Sequence, residues 1–416
     1  MLGFIMCYDE LSPNTNTAMW VMVNRTQSTE IDDVVVKRIL NLYPEEKLEQ
    51  RVIFQAAFSS GIIEYKDLVS ESEKILIPWQ LFFLNSVNFN TQIKHIEKER
   101  KDKVSEKLIA KRRGVGDVTS KRIIDRLIRQ QNFLVGTGIF STNSFCGCLK
   151  NVPTKRASDK IISTFSIDRN LLWRYRGKGS ALEYLINQIE SANINVSRGV
   201  LTNKLLPTWQ VVPSDVYRNT SGFAIRDDNV PFVFLPSEIN PDEVESRQIY
   251  TLIYLIAVIG LDQYDYYLDK NFKAKIMGAT GMSARIHAIT SEFLMPTEET
   301  EKLRGQTITM GLRDSLSEKF KVSPLALVTT LRMRGIINKQ EFEILKPQPF
   351  TPKKRTTPSR APKISTSVEK FCGTKSYKAI NNGIVSKSIT NTQAQYLIFG
   401  AANKKGYYKY RNELGL

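Results

Sequence analysis

Residues Ile249–Leu261 read Ile-Tyr-Thr-Leu-Ile-Tyr-Leu-Ile-Ala-Val-Ile-Gly-Leu, thirteen consecutive uncharged positions in a chain of 416. A run of that length is too short to cross a bilayer, which takes about 20 residues. It is also too uniformly apolar for a helix with one wet face. It predicts a helix covered on all sides, so the surrounding domain must supply the covering layers. No run of about eighteen apolar residues occurs in the chain, so no transmembrane helix is expected. By itself the run needs no explanation beyond a core helix.

Its neighbours say more. Ser180-Ala-Leu-Glu183 reads as a capping box opening a helix over Ala181–Ser191. That helix leads through Asn193 into the strand-like Ile194-Asn-Val196. Gly222-Phe-Ala-Ile225 and Phe232-Val-Phe-Leu235 flank Asp227-Asp-Asn229, which predicts a hairpin. Downstream come Ser291-Glu-Phe-Leu-Met-Pro296 and the helix pair Leu316–Ala326. There Ser323 is placed as N-cap, Pro324 as first helical residue and Gly335 as the C-terminal stop.

In this order, these segments over residues 180–340 resemble the active-site half of the ImmA/IrrE family of metallopeptidases. In that family an R-x-x-[FY]-T-L-x opening, here beginning at Arg247, runs into H-E-x-x-H. The resemblance implies an α+β, mostly helical fold: a zincin-like domain whose small β-sheet packs on the buried helix. The five H-E-x-x-H positions are Tyr254, Leu255, Ile256, Ala257 and Val258, and the third-ligand glutamate position falls at Arg285. Zinc chemistry of this kind needs two imidazoles one turn apart with a glutamate as general base. The chain has only His95 and His287. The resemblance therefore implies a pseudo-metallopeptidase: no catalytic residues, no metal and no cofactor, with Tyr254, Leu255, Val258 and Arg285 as degenerate zinc-site positions. The alternative is a divergent metal-dependent endopeptidase on non-standard ligands, with Asp262, Asp265 and His287 as candidates. The simpler reading makes Asp262, Asp265 and Asp269 the solvated end of the helix and His287 an ordinary surface or satisfied core histidine.

The formal charge of +17 is localised. From Pro347 onward thirteen Lys/Arg face two acidic residues, a net of +11, and over 94–132 thirteen face six, a net of +7. What remains is near neutral. Concentrated positive charge attracts phosphate backbones without reading sequence, although it also aids solubility. Lys111, Arg112, Arg113, Lys121, Arg122, Arg126 and Arg129 are the candidate phosphate contacts, around Gly114-Val-Gly-Asp-Val-Thr119. That stretch reads as either a helix-hairpin-helix or an ordinary turn.

Residues 14–86 read as short helices: Thr17–Asn24, Thr29–Lys37 capped by Ser28, Lys47–Phe58 and Glu64–Lys74, closed by Ile77–Leu84. This resembles the Xre-type helix-turn-helix of larger ImmA/IrrE proteins. It would place Gln50, Arg51 and Gln55 at base edges. Glu45, Glu46 and Glu49 would oppose phosphates, which leaves a protein-contact module as the other reading. The expected organisation is a helix-turn-helix-like bundle over 1–86 and a basic connecting region over 87–175. A degenerate peptidase domain over 176–346, a Pro/Lys/Thr/Ser-rich linker over 347–370 and a basic helical segment over 371–416 follow.

The family resemblance implies a regulator of antitoxin or repressor type from a phage or mobile-element context. It would hold a toxin- or repressor-like protein partner in the former substrate cleft, with DNA or another nucleic acid as second partner and self-association open. A cytoplasmic location is expected: the N-terminus lacks a basic lead and long apolar stretch, and the cysteines are few. Cys146-Gly-Cys148 reads as two plain thiols rather than a zinc knuckle.

Overall fold

A computed structural model describes residues 19–23, 27–32, 35–36, 38–39, 52–74, 79–106, 118–199, 222–236, 244–264, 280–347, 363–400 and 404–416. The chain divides into two units, Met1–Lys98 and Glu99–Leu416. Among the described residues no helix is long and apolar enough to cross a membrane.

The first unit corrects the all-helical expectation. Where Thr17–Asn24 and Thr29–Lys37 read as helices, residues 19–23 and 27–31 form strands β1 (Met19–Val23) and β2 (Gln27–Ile31), paired antiparallel with Met22 opposite Ser28. Strand β3 (Ile62–Glu64) runs parallel to β1, giving the order β2-β1-β3. Short apolar runs do not distinguish strand from helix by periodicity, and Met-Trp-Val-Met-Val has the aromatic and β-branched content that a pleated ladder favours. Helices α1 (Val52–Ser60) and α2 (Tyr65–Lys74) lie close to where the sequence puts them. Residues 47–51 of the expected third helix fall outside the described residues. Phe54, Ile63, Leu68 and Phe82 form the core of this unit. The closing segment is a 3-10 turn over Trp79–Phe83.

The second unit starts within α3 (Ser86–Lys103) and continues with α4 (Val118–Gly136), α5 (Thr154–Thr164), α6 (Arg169–Arg174) and α7 (Lys178–Ser191). Strand β4 (Asn195–Arg198) follows, then the hairpin β5 (Phe223–Ile225) and β6 (Phe232–Leu235). The long apolar run is the body of α8 (Val244–Leu261). Then come α9 (Gly281–Leu294), α10 (Thr297–Glu301), α11 (Met310–Phe320), α12 (Pro324–Met333) and α13 (Lys339–Leu345). The last four helices are α14 (Ile364–Cys372), α15 (Thr374–Val385), α16 (Asn391–Phe399) and α17 (Lys404–Leu414).

The sheet order is β4-β6-β5, with β4 parallel and β5 antiparallel to β6. Side chains alternate across it. Val196, Ala224, Val233 and Leu235 share a core with α8, α7 and α9. Phe223, Ile225, Phe232 and Phe234 share a second core with Ile123, Leu127, Phe371, Phe399 and Tyr410. The sheet is thus a middle layer between two helical ones, and all four residues of Phe232–Leu235 are buried. The region 87–175 is accordingly no mere connection, because α4 and α5 supply parts of both cores. Nor is 371–416 an appendage: its helices cover the aromatic face of the sheet. The predicted linker also ends earlier, since α14 begins at Ile364.

Two local expectations fare differently. Helix α7 starts at Lys178 with Gly177 as N-cap, so Ser180 lies inside it, and Glu183 pairs with Arg198 (Nη1–Oε1 2.6 Å) in place of a capping box. At α12 the reading holds: the Ser323 side chain accepts from Ala326 N, Pro324 opens the helix and Gly335 follows it at φ 64°.

Candidate functional site

The candidate site is the face of α8 that carries Tyr250, Tyr254 and Val258. Tyr254 is 2% exposed, Val258 1%, and Leu255, Ile256 and Ala257 are fully buried. Their burial follows from the layers around α8, which packs on α9, α7, β5 and β6. Each large side chain covered in this way contributes about 1.5–3 kcal/mol. That is enough to override the modest helix propensity of Ile, Val and Thr.

Two rows of side chains on α8 do different things. Thr251 and Leu255, one turn apart, face the hairpin. A Cβ on Gly222 would come within 2.9 Å of Thr251 Cγ2, 3.2 Å of Leu255 Cδ1 and 2.6 Å of Phe234 O. The glycine therefore permits the close approach of hairpin and helix. Tyr250, Tyr254 and Val258 form a second row at i, i+4, i+8. The first two meet His287 on α9: Tyr250 Oη lies 3.1 Å from His287 Nδ1, and the Tyr254 and imidazole rings are 5.0 Å apart between centroids. His287 is 5% exposed, and burial lowers its pKa to about 4. It is a neutral imidazole hydrogen-bonded to a phenol, and burial pushes the Tyr250 hydroxyl well above its ordinary pKa. Tyr250 was not singled out from sequence, although its spacing of one turn before Tyr254 is a usable signal.

Arg285, the position that the resemblance aligns with a third ligand, does not meet the Tyr250 and Tyr254 row. His287, two positions on, is the α9 side chain that meets Tyr254. Residues i and i+2 on a helix point about 200° apart, so both cannot face the same partner. Arg285 instead donates to Leu149 O (3.0 Å) and Val152 O (2.9 Å). The turn it holds caps α8: Gly147 N donates to Ile259 O and Leu149 N to Gly260 O, at 3.1 and 2.7 Å. These are carbonyls of the last helical turn, which have no partner within the helix. Gly260 is needed there, because a Cβ would come within 2.5 Å of Leu149 Cδ1 and 2.9 Å of the Phe145 ring.

The other candidates have ordinary partners. Asp262 ends α8 in the left-handed region at φ 52° and pairs with Lys150 (2.8 Å) and Arg226 (3.4 Å). Asp265 and Asp269 lie outside the described residues. Cys146 and Cys148 are partly buried free thiols, and Cys146 is pushed up to about 11 by burial and by Asp228 and Asp262. Among the described residues no three His, Cys, Asp or Glu gather as a metal site.

Of the nucleic-acid candidates, Gln50, Arg51, Lys111, Arg112 and Arg113 lie outside the described residues. Lys121 and Arg122 stand in the first turns of α4, with side chains outside the described set. Gln55 is exposed on α1. Arg126 departs from the expectation of a phosphate contact. It is 4% exposed, donates to Leu397 O (3.3 Å) and lies over the Phe371 ring at 4.9 Å. Because α4 is sandwiched between sheet and C-terminal helices, charge in its sequence does not imply charge on its surface.

The Ser291–Pro296 phrase has a structural role that sequence did not reveal. Glu292 accepts from Thr297 N and Oγ1 (3.2 and 2.5 Å) and from Arg334 Nη2 (3.1 Å). Arg334 Nη1 also donates to Met295 O (2.6 Å) and Thr300 Oγ1 (2.7 Å), tying the end of α9 to the end of α12. No protein-family model, curated protein or solved structure matches this chain.

Proposed function

We propose that this chain is a catalytically inactive regulator on an ImmA/IrrE-like peptidase scaffold, one that binds a protein partner and contacts nucleic acid through its basic segments. The observation that carries the reading is the packing of Tyr250, Tyr254 and His287. A phenol ring and an aliphatic side chain fill the volume where two imidazoles would converge on an ion. His287 is kept neutral by burial and packs against Tyr250 and Tyr254 rather than being aimed at an open position. Such filling gives the core apolar burial that a metal site forgoes. The surviving-hydrolase alternative draws no comparable support, since the Asp262 carboxylate is already engaged by two cations. The margin of β5 is covered: Phe223, Ala224 and Ile225 are buried, Ile225 O accepts from Gln131 Nε2 (3.5 Å) and Arg226 N donates to Lys103 O (2.8 Å). The outer edge of β4 is met by α14 and α15, with Asn195 Nδ2 donating to Cys372 O and Ser197 Oγ to Phe371 O. With both margins of the sheet met in this way, strand addition finds no free edge among the described residues.

Elemental analysis of the natively purified chain should show zinc well below one ion per molecule, with no rise in thermal midpoint on adding zinc. One tightly held zinc, released by His287→Ala, would overturn the reading. Duplex DNA binding, followed by fluorescence anisotropy, should weaken by roughly tenfold or more for a fourfold rise in salt. The joint change of Lys111, Arg112 and Arg113 to Ala should weaken it for all sequences alike. Affinity indifferent to both salt and substitution would remove the basic-segment contact.

A further inference from the structure

The stretch Lys404-Lys-Gly-Tyr-Tyr-Lys-Tyr-Arg411 has two readings from sequence: aromatics that stack on bases, or aromatics that dock the tail onto the body. Helix α17 separates them residue by residue. Tyr410 is fully buried, with its hydroxyl donating to Asn381 Oδ1 (2.5 Å), and Tyr407 is 3% exposed with its hydroxyl on Asn391 Oδ1 (3.0 Å). Those two dock the helix. Tyr408 is 65% exposed.

At about 100° per residue, positions 404, 405, 408 and 409 share one side of the helix, and Lys404, Lys405 and Lys409 are all exposed there. Glu413, the one carboxylate of α17, is engaged elsewhere: it accepts from Ser365 N (2.8 Å) and Ser365 Oγ (2.9 Å) at the start of α14. Among the described residues none of the three lysines enters an ion pair. Over 363–416 nine Lys/Arg face two Glu, a net of +7, so the field around this side is positive beyond the helix itself.

We propose that this side of α17 binds single-stranded nucleic acid, with Tyr408 stacking on a base and Lys404, Lys405 and Lys409 contacting the flanking phosphates. An aromatic face needs an unstacked base, which a single strand offers and an intact duplex does not. A membrane surface fits less well. Interfacial helices need a broad apolar side, and that of α17 is buried under Tyr407 and Tyr410. The inference stands independently of the peptidase-like reading and of the duplex contact assigned to residues 111–113.

The test uses the full-length protein with a labelled oligothymidylate, a labelled duplex and phosphatidylserine vesicles. Tyr408→Ala should weaken oligothymidylate binding about 5- to 100-fold, leave duplex binding unchanged, and Tyr408→Phe should stay within about twofold of wild type. Changing the three lysines to Gln should lower the slope of log affinity against log salt by about two. Unaltered thermal midpoints would show that these exposed substitutions leave the fold intact. The proposal fails if Tyr408→Ala binds oligothymidylate as wild type does. It fails also if the substitution weakens only vesicle binding, or if Lys111, Arg112 and Arg113 alone account for single-strand affinity.

Discussion

Replacing Arg334 with Ala should destabilise the second unit by about 3–5 kcal/mol, the cost of stranding one partner of a buried ion pair. The Arg334 and Glu292 side chains are 16% and 10% exposed, so water does little to screen the loss. One guanidinium serves three acceptors, Met295 O, Thr300 Oγ1 and Glu292 Oε2, and without it the carboxylate keeps only the two groups of Thr297. Denaturant unfolding followed by Trp173 fluorescence would read the change. Glu292→Ala should cost a comparable amount. The double variant should cost clearly less than the two single changes together, because each single change strands the other partner and the double change strands neither. Additive losses, or a single-variant cost under about 1 kcal/mol, would show that the junction is not coupled as the geometry implies.

The second large effect is a pH dependence carried by His287. Its folded pKa is near 4, below the ordinary value of 6.5. Between those values the unfolded chain takes up a proton that the folded chain refuses, so unfolding is favoured as pH falls. The stability that rests on the neutral imidazole is therefore complete above pH 6.5. It is lost progressively down to about 4, by about 3 kcal/mol, and this group adds no further loss below that. The physical cause is burial, here against Tyr250 and Tyr254. Comparing wild type with His287→Phe at pH 7 and pH 4 isolates the contribution from that of the carboxylates. Wild type should hold an advantage at pH 7 that shrinks by about 3 kcal/mol at pH 4. An advantage independent of pH would mean that the histidine is hydrated or already charged, and the argument that α8 and α9 close around it would fall.

Both predictions concern α9, and the sequence spoke unequally about it. The phrase ending at Met295-Pro296 marks the helix end by composition, but nothing local says that Glu292 will meet an arginine 42 residues later. Likewise the spacing of Arg285 and His287 from α8 is invisible until the helices are packed. A difference of two positions along α9 decides which one touches Tyr254. Charge is the least legible property of all. Arg126 stands in a basic stretch and reads as a phosphate contact, yet it lies under Phe371 in the core. Tyr407, Tyr408 and Tyr410 look alike in sequence, and only docking of α17 divides them into anchors and a free ring.

The sequence by itself determined what depends on near neighbours along the chain. The uninterrupted apolar run of α8, the β5–β6 hairpin around Asp227-Asp-Asn229, and the Ser323, Pro324 and Gly335 punctuation of α12 are of this kind. Each rests on hydrogen bonds or periodicity spanning a few residues, so local chemistry suffices. Tertiary structure decided whether Met19–Val23 would be strand or helix, because a short apolar segment takes the form its partners offer, and here β2 and β3 offer ladder hydrogen bonds. It also decided that four C-terminal helices would cover the aromatic face of the sheet, and that Tyr250 and Tyr254 of α8 would meet His287. Those outcomes depend on contacts between segments far apart in the chain, whose energies no window of sequence contains.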